Sequence, residues 1–465
     1  MDRKTINYFK SKQKTIEERF EEGKVLRDKF SRKEQGDYKP DPKRADPVSI
    51  LEEQGKTRLT ELVPIRYARM LTSPFAFLRG AAAIMAADLA VGPKTTGINV
   101  QTCGDMHVAN FGIFASAERN LIFGINDFDE TLPGPWEWDI KRLVTSIVAS
   151  GRFLGAKNNL CVESVLAAVN SYKKSMRNYS EMGHIELVYA TMTEKDLQRK
   201  LPPEVQKGLK KITDKARERT HFQVLDKMAN IVDNKYRLRD DAPFIVHETH
   251  TKSGRTVDEA LGLFLESYML SLADDRKQLL KHYRIVDVAR KVVGVGSVGT
   301  RCWIVFMLGS NSEDPLFLQI KEAQPSVLEP FISKSIYTNH GQRVVAGQRL
   351  LQAAPDIFLG WGEQDGIHFY VRQLRDMKGG LEFDPDKVNI NNYPEYCKLC
   401  GEALALAHAK SGDAAMISGY LGKSDEFDQA MVQFASAYAD QTEKDYQALE
   451  AAAASGRIKV ARAES

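Results

Sequence analysis

Asp105 and Asn110 stand five residues apart in the run Gly104-Asp-Met-His-Val-Ala-Asn110. Kinase-like enzymes use this spacing to carry a catalytic base and a metal ligand on a single loop. A strand-like segment over 97–103 leads into it, so the loop can aim both side chains at one phosphate. A second short strand runs into Asn126-Asp127-Phe128-Asp129. Asp127 is well placed for Mg²⁺, a hard cation that takes oxygen ligands and commonly only one or two carboxylates beside phosphate. Asp129 is a further candidate metal ligand. Either run alone is compatible with a turn capped by an aspartate. The two in this order, a hairpin's length apart, point to phosphotransfer. His107, inside the loop, has two readings: a hydrogen bond to phosphate, or orientation of Asp105.

A third constellation lies far downstream, where Gly294-Val-Gly-Ser-Val-Gly299 has the GxGxxG spacing. A dinucleotide-binding fingerprint needs a helix directly after its glycines, whereas 300–308 is a strong strand run. Strand, glycine turn, strand is the geometry of a loop that covers nucleotide phosphates. Gly294, Gly296, Ser297 and Gly299 are therefore expected in a cofactor-binding loop. The next strand run, 315–321, ends in Lys321, placed like the strand lysine that pairs with phosphates. The plain alternative is an exposed strand end.

Other polar residues read as structural. Asp139 begins a helical run, so an N-cap is the first reading, with a brace beneath the Asp105 loop compatible with it. His408 and Asp413 close a helix and read as caps. His247 and His250 lack a third metal ligand. Cys397 and Cys400 form one CxxC without a second pair and read as buried helix thiols. Five widely spread cysteines make no disulfide framework and suit a reducing compartment.

Positioning these groups takes a large protein. The chain has 465 residues, more than one core usually holds. With 43% hydrophobic residues, 27% charged and a net charge of +3, it is globular. It is also too evenly charged to indicate a nucleic-acid or membrane partner. The N-terminus lacks the apolar core of a secretion signal, and 76–91 is short and interrupted by Arg79 and Asp88, so a cytoplasmic location is expected. Residues 1–60 read as a charged helical extension, a docking arm or partly mobile segment punctuated by Pro40, Pro42 and Pro47. A mostly helical catalytic lobe is expected over 61–285, an antiparallel sheet lobe with the glycine-rich loop over 286–385, and a C-terminal helical segment packed on the catalytic lobe over 386–465. Within these, 139–153, 161–176, 207–231 and 256–272 have helical apolar spacing, and a Gly92–Pro93 break ends an earlier helix. The cluster Lys207, Lys210, Lys211, Lys215, Arg217 and Arg219 reads as a solvated helix face. Short strands are expected at 292–293, 302–308, 316–320 and 368–371.

The blocks SPFAFLRG (73–80), GDMHVANFG, INDFDETLPGPWEWDIKRL, VGVGSVGTRCW, LFLQIKEA, GQRVVAGQRLLQAAPDIFLGW, FYVRQLRDMKG and ALALAHAKSGD follow one another across nearly the whole chain. In them the sequence resembles the bacterial domain-of-unknown-function 2252 family (DUF2252). Its GDxHxxN and DFD motifs are similar to those of aminoglycoside phosphotransferases and choline kinases. That resemblance implies Asp105 as the base, Asn110 and Asp127 as metal ligands, and ATP with Mg²⁺ (Mn²⁺ the alternative) as cofactors. It also implies an α+β, protein-kinase-like fold of two lobes. In those enzymes the glycine loop and lysine precede the catalytic loop, whereas here they follow it. A circular permutation, helical lobe first and sheet lobe after, reconciles the order and is tolerated where chain ends lie close together at the surface. Glu329 is the expected carboxylate partner of Lys321, with Glu322 as its rival. The expected activity is ATP- and Mg-dependent phosphotransfer to an unidentified small molecule or protein. Kinase-like AMP transfer, nucleotide binding without turnover and metal-dependent phosphoester hydrolysis are the other readings.

Overall fold

The computed structural model describes residues 9–92, 95–218, 221–233, 235–251, 253–311, 313–374 and 377–461. Pro93 of the expected break, Arg219 of the basic cluster, and Arg375 and Asp376 of the FYVRQLRDMKG block lie outside the described residues.

Four short strands carry the first two motifs: β1 (Asn99–Thr102), β2 (Phe111–Ala115), β3 (Leu121–Ile125) and β4 (Leu132–Pro135). β1 pairs antiparallel with β4, and β2 with β3. The 103–110 loop and the 126–131 turn are the two connections between these ladders, which brings them together. β5 (Met192–Thr193) joins β3, and β6 (Ala229–Val232) and β7 (Lys235–Leu238) form a separate hairpin. A six-stranded antiparallel sheet follows, from β8 (Ile245–Val246), β9 (Arg284–Lys291), β10 (Cys302–Leu308), β11 (Pro315–Glu322), β12 (Gly360–Gln364) and β13 (Ile367–Gln373). Its spatial order is β12-β13-β11-β10-β9-β8. Alternate side chains of a strand point to opposite faces, and β10 serves two cores in this way. Ile304, Phe306 and Leu308 pack with Val224, Leu225 and Phe317, while Val305 and Met307 pack with Phe264, Tyr268 and Leu318.

Helices dominate the rest, among them α1 (Ile16–Lys29), α2 (Pro47–Gly55), α3 (Pro74–Gly80), α4 (Trp136–Phe153), α5 (Asn158–Ser180), α6 (His340–Leu351), α7 (Tyr393–Ser411), α8 (Ala414–Leu421) and α9 (Glu426–Ala454). The fold class is α+β. α4 is buried from Trp136 to Gly151, enclosed by α3, α5 and α9. A helix buried all round is normally apolar. This one carries Asp139 and Arg142, and both reach the 103–110 loop. The end of α7 lies beside β1, where Gln101 N donates to Ser411 Oγ at 3.1 Å.

Two expectations are corrected. The helical run expected over 207–231 is two helices, Pro203–Glu218 and His221–Met228, before β6. No strand forms at 292–293; β9 ends just before it, at Lys291, and its charged residues at 284, 287, 290 and 291 hide its apolar alternation. β12 has no counterpart in the sequence reading because Gly360 and Gly362 weaken a strand pattern. A Cβ at either would press on Tyr268 or Phe264, at 2.7 and 2.8 Å. The basic residues 207, 210, 211, 215 and 217 are exposed on their helix. All five cysteines are buried and unpaired. Among the described residues no single helix is long and apolar enough to cross a membrane.

The N-terminal segment is docked rather than loose. A Cβ on Gly23 would lie 2.0 Å from Met416 O, and one on Gly419 2.0 Å from Phe20 O, so α1 and α8 meet backbone to backbone. Arg44 then bridges Asp88, at 2.6 and 2.8 Å, and Asp445 of α9, at 2.8 and 2.6 Å. All three side chains are nearly buried. Removing the cation strands two buried carboxylates, so Arg44→Met should destabilise the protein by about 3–5 kcal/mol in urea unfolding. Adding Asp88→Asn and Asp445→Asn to that variant should recover more than half of the loss.

Candidate active site

The 103–110 loop is held from behind. Gly104 has φ +79°, and a Cβ there would lie 2.6 Å from Glu130 O. Only glycine fits both conditions. The N–H groups of Cys103 and Gly104 donate to Asp139 Oδ2 and Oδ1 at 2.6 and 2.9 Å. His408 Nε2 is 3.3 Å from Asp139 Oδ2, and its Nδ1 is 2.8 Å from Tyr172 OH. A ring that accepts from Tyr172 and donates to Asp139 satisfies both neighbours. Asp139 is thus the brace and not a helix cap; Pro135 occupies the N-cap and gives no side-chain bond. His408 caps nothing either, because it is buried in this chain. Asp413 does cap, accepting from Met416 N at 2.9 Å.

Two buried arginines set the acidic residues. Arg142 donates from Nε to Asp105 Oδ1 at 2.8 Å and from Nη2 to the same oxygen at 2.5 Å. Its Nη2 also reaches Leu78 O at 2.8 Å. These bonds orient Asp105 through Oδ1, and among the described residues its Oδ2 accepts no hydrogen bond. His107 Nε2 lies 3.9 Å from that oxygen. Burial holds the imidazole down at about 3, helped by Arg79 and Arg142 and opposed by Asp105, so it is neutral at physiological pH. Asn110 Nδ2 donates to Asp127 O at 3.1 Å and Asp105 O at 3.3 Å, tying the two motifs. On the far side Arg343 of α6 donates to Thr131 O, Asp129 O and Gln324 O at 2.7, 2.8 and 2.8 Å.

The downstream motifs converge here. Lys321 Nζ, buried on β11, is 3.8 Å from Asp127 Oδ2 and is hydrogen-bonded to Asp129 Oδ2. Tyr370 of β13, in register with Lys321, donates to Asp129 Oδ1 at 2.8 Å. Ser297 Oγ of the glycine loop donates to Asp129 Oδ2 at 3.1 Å. Burial raises the Asp127 carboxyl, but Lys321 and Arg372, with the Asp129 N–H, outweigh it and hold the group below its usual range. The glycine loop is fastened from outside: Leu59 N donates to Gly299 O at 2.8 Å, Arg58 Nη1 to Val298 O at 2.5 Å, and Arg69 to Gly294 O.

Two expected roles change. Glu329 is not the partner of Lys321; it faces His340 at 3.8 Å and Arg343 at 4.0 Å. Its rival Glu322 binds Arg301 at 3.0 Å. The ion pairs of Lys321 are with Asp127 and Asp129, because β11 runs directly over the 126–131 turn. Asp129, expected as a metal ligand, has both oxygens engaged by Lys321, Ser297 and Tyr370 and acts as an anchor. The residues that could hold a hard cation are Asp127, whose carboxylate is half-exposed, and Asn110, whose amide nitrogen is already engaged. Sequence reasoning missed Arg142, Arg343, Tyr370 and Arg372. Tyr370 and Arg372 alternate on one strand, a signal visible once that strand is aligned with Lys321. Arg142 follows Asp139 by three residues, one turn along the same helix face. Arg343 left no such signal.

The family model described as an uncharacterized protein conserved in bacteria (DUF2252) matches residues 58–452, and the chain belongs to that family. Comparison with curated proteins and with solved structures found no match.

The brace and cap readings of Asp139 differ in what they predict. Asparagine caps helices as well as aspartate, but offers only one oxygen to two N–H donors. Asp139→Asn should therefore lower stability by about 1–3 kcal/mol in chemical denaturation. Asp413→Asn, a true cap, should change it by only a few tenths of that amount.

Proposed function

We propose that this DUF2252 member is an ATP- and Mg²⁺-dependent phosphotransferase built as a circularly permuted, kinase-like pair of lobes. The observation that carries the reading is the meeting of Lys321, Ser297, Asp127 and Asp129. A strand lysine, a glycine loop and a carboxylate turn from distant parts of the chain share one small volume. The order β9, glycine loop, β10, β11, α6, β12, β13 supports the sheet as the nucleotide-covering lobe. The contact of Ser411 with Gln101 supports the permutation: the end of α7 stands where a chain in the usual order would pass straight into the catalytic loop.

In this reading Lys321 and the glycine-loop amides hold the nucleotide phosphates, and Asn110 and Asp127 hold the metal. Bound Mg²⁺ would neutralise charge on the phosphates and orient them. Asp105, fixed through Oδ1 by Arg142, offers Oδ2 to an acceptor hydroxyl and aligns it for attack on the terminal phosphorus. Neutral His107 orients that carboxylate, in keeping with its place beside Oδ2. The acceptor is a small molecule or a protein side chain.

The test is binding followed by turnover. ATP with Mg²⁺ at about 100 times its Kd should stabilise the protein by roughly 2.7 kcal/mol, and Asp127→Ala should remove the metal-dependent part. Asp105→Asn should keep nucleotide binding while turnover falls about 10²–10⁴-fold, the usual worth of a positioned base. Lys321→Met should weaken both. A protein that shows no thermal shift with any nucleoside triphosphate and Mg²⁺ or Mn²⁺ lacks this function.

A further inference from the structure

Arg79, near the end of α3, has no use in the site as described so far. Its Nε is buried without a hydrogen-bond partner, and among the described residues its guanidinium forms no ion pair. The ring of Phe75, with its centroid 5.9 Å from Cζ, is its cover. Burial pushes the guanidinium down, and the charges that pull it back are Asp105 and Asp127. It therefore stands within electrostatic reach of both functional carboxylates while paired with neither. The glycine loop meets this residue at its backbone: a Cβ on Gly296 would lie 3.1 Å from Arg79 O.

The position is fixed rather than incidental. Ser73 caps α3, its Oγ accepting from Ala76 N at 3.0 Å. Arg142, which orients Asp105, also binds Leu78 O at 2.8 Å, one residue before Arg79. The same N-terminal stretch supplies Arg58, Leu59 and Arg69 to the glycine loop. An unpaired cation in a largely buried position is costly. The surrounding arginines Arg142 and Arg343 have found acceptors, and Arg79 has not.

We propose that Arg79 is a phosphate-binding residue, a cation that the N-terminal helices contribute to the polyphosphate of the bound nucleotide. The guanidinium fork takes two phosphate oxygens at once, and filling that gap compensates the buried charge. The nucleotide's identity rests on the phosphotransfer reading above; the anion's does not.

Calorimetric titration of the full chain, in Mg²⁺, with ATP, inorganic tripolyphosphate and adenosine separates the two. Arg79→Gln should weaken ATP and tripolyphosphate at least about tenfold, leave adenosine unchanged, and reduce turnover by about 10²–10³-fold, below the usual range for an arginine that meets the transferring phosphate. Arg79→Lys should recover part of the affinity, as a point charge does without the fork. The ligand-free melting temperature of Arg79→Gln should stay level or rise, because an unpaired buried cation has been removed; a structural role would lower it. Unchanged ATP and tripolyphosphate affinity in folded Arg79→Gln overturns the inference and leaves the phosphotransferase standing. Wild-type protein that binds tripolyphosphate but not ATP, with that binding lost in Arg79→Gln, does the reverse. Wild-type protein that binds neither removes both. Should Arg79→Gln not fold, an Arg79→Lys variant with wild-type affinity for both anions and wild-type turnover overturns it.

Discussion

The buried ammonium of Lys321 between Asp127 and Asp129 is the interaction on which the rest depends. Two carboxylates two residues apart on one tight turn repel each other. A cation from another part of the chain resolves it, and the position of that cation fixes the sheet over the turn. Register then does the rest. Tyr370 lies opposite Lys321 on the neighbouring strand and reaches Asp129, while Arg372 lies two residues on and its charge helps hold the Asp127 carboxyl down. The carboxylates of the helical part and the cations of the sheet form a seam in which neither side is electrostatically complete alone.

Beneath that seam, α4 solves a second problem. A functional loop must be rigid, yet its backbone N–H groups need acceptors in a region closed to water. α4 supplies them from inside the core through Asp139, whose charge is answered by two N–H groups and by His408. Arg142, one turn further on, fixes the Asp105 side chain as Asp139 fixes its backbone. One helix thus sets both the position and the aim of the loop, and its Asp139 and Arg142 cost little because each has partners.

Local chemistry was the legible part of the sequence. The D-x-x-x-x-N run, the DFD turn, the glycine loop between strands and Lys321 each show themselves in consecutive residues, and the structure brings them together. The α+β class was legible because helical and strand periods both show in the sequence, with the change near residue 285 the clearest. What failed was of two kinds. β12 was hidden because glycines there answer to the bulk of Phe264 and Tyr268 on another element, which no local pattern records. The partner of Lys321 was sought among nearby glutamates, Glu322 and Glu329. The actual partners lie on the other side of the chain, and sequence distance carries no information about which opposite charges meet. The arginines were missed for the same reason: a buried arginine in a helix looks like an exposed one until its acceptors are known.

The order of the chain has a consequence for how the protein comes into being. Asp129 and Lys321 are 192 residues apart, and the carboxylates are made first. At synthesis rates of about 5–20 residues per second, roughly 10–40 s separate their emergence. During that interval the 103–110 loop and the 126–131 turn exist without the cation that pairs with their carboxylates. The nascent helical part must therefore wait, partly folded, for its electrostatic closure. That makes this a protein whose yield in the cell would be governed by the pace of translation and by chaperone protection over that window as much as by its final stability.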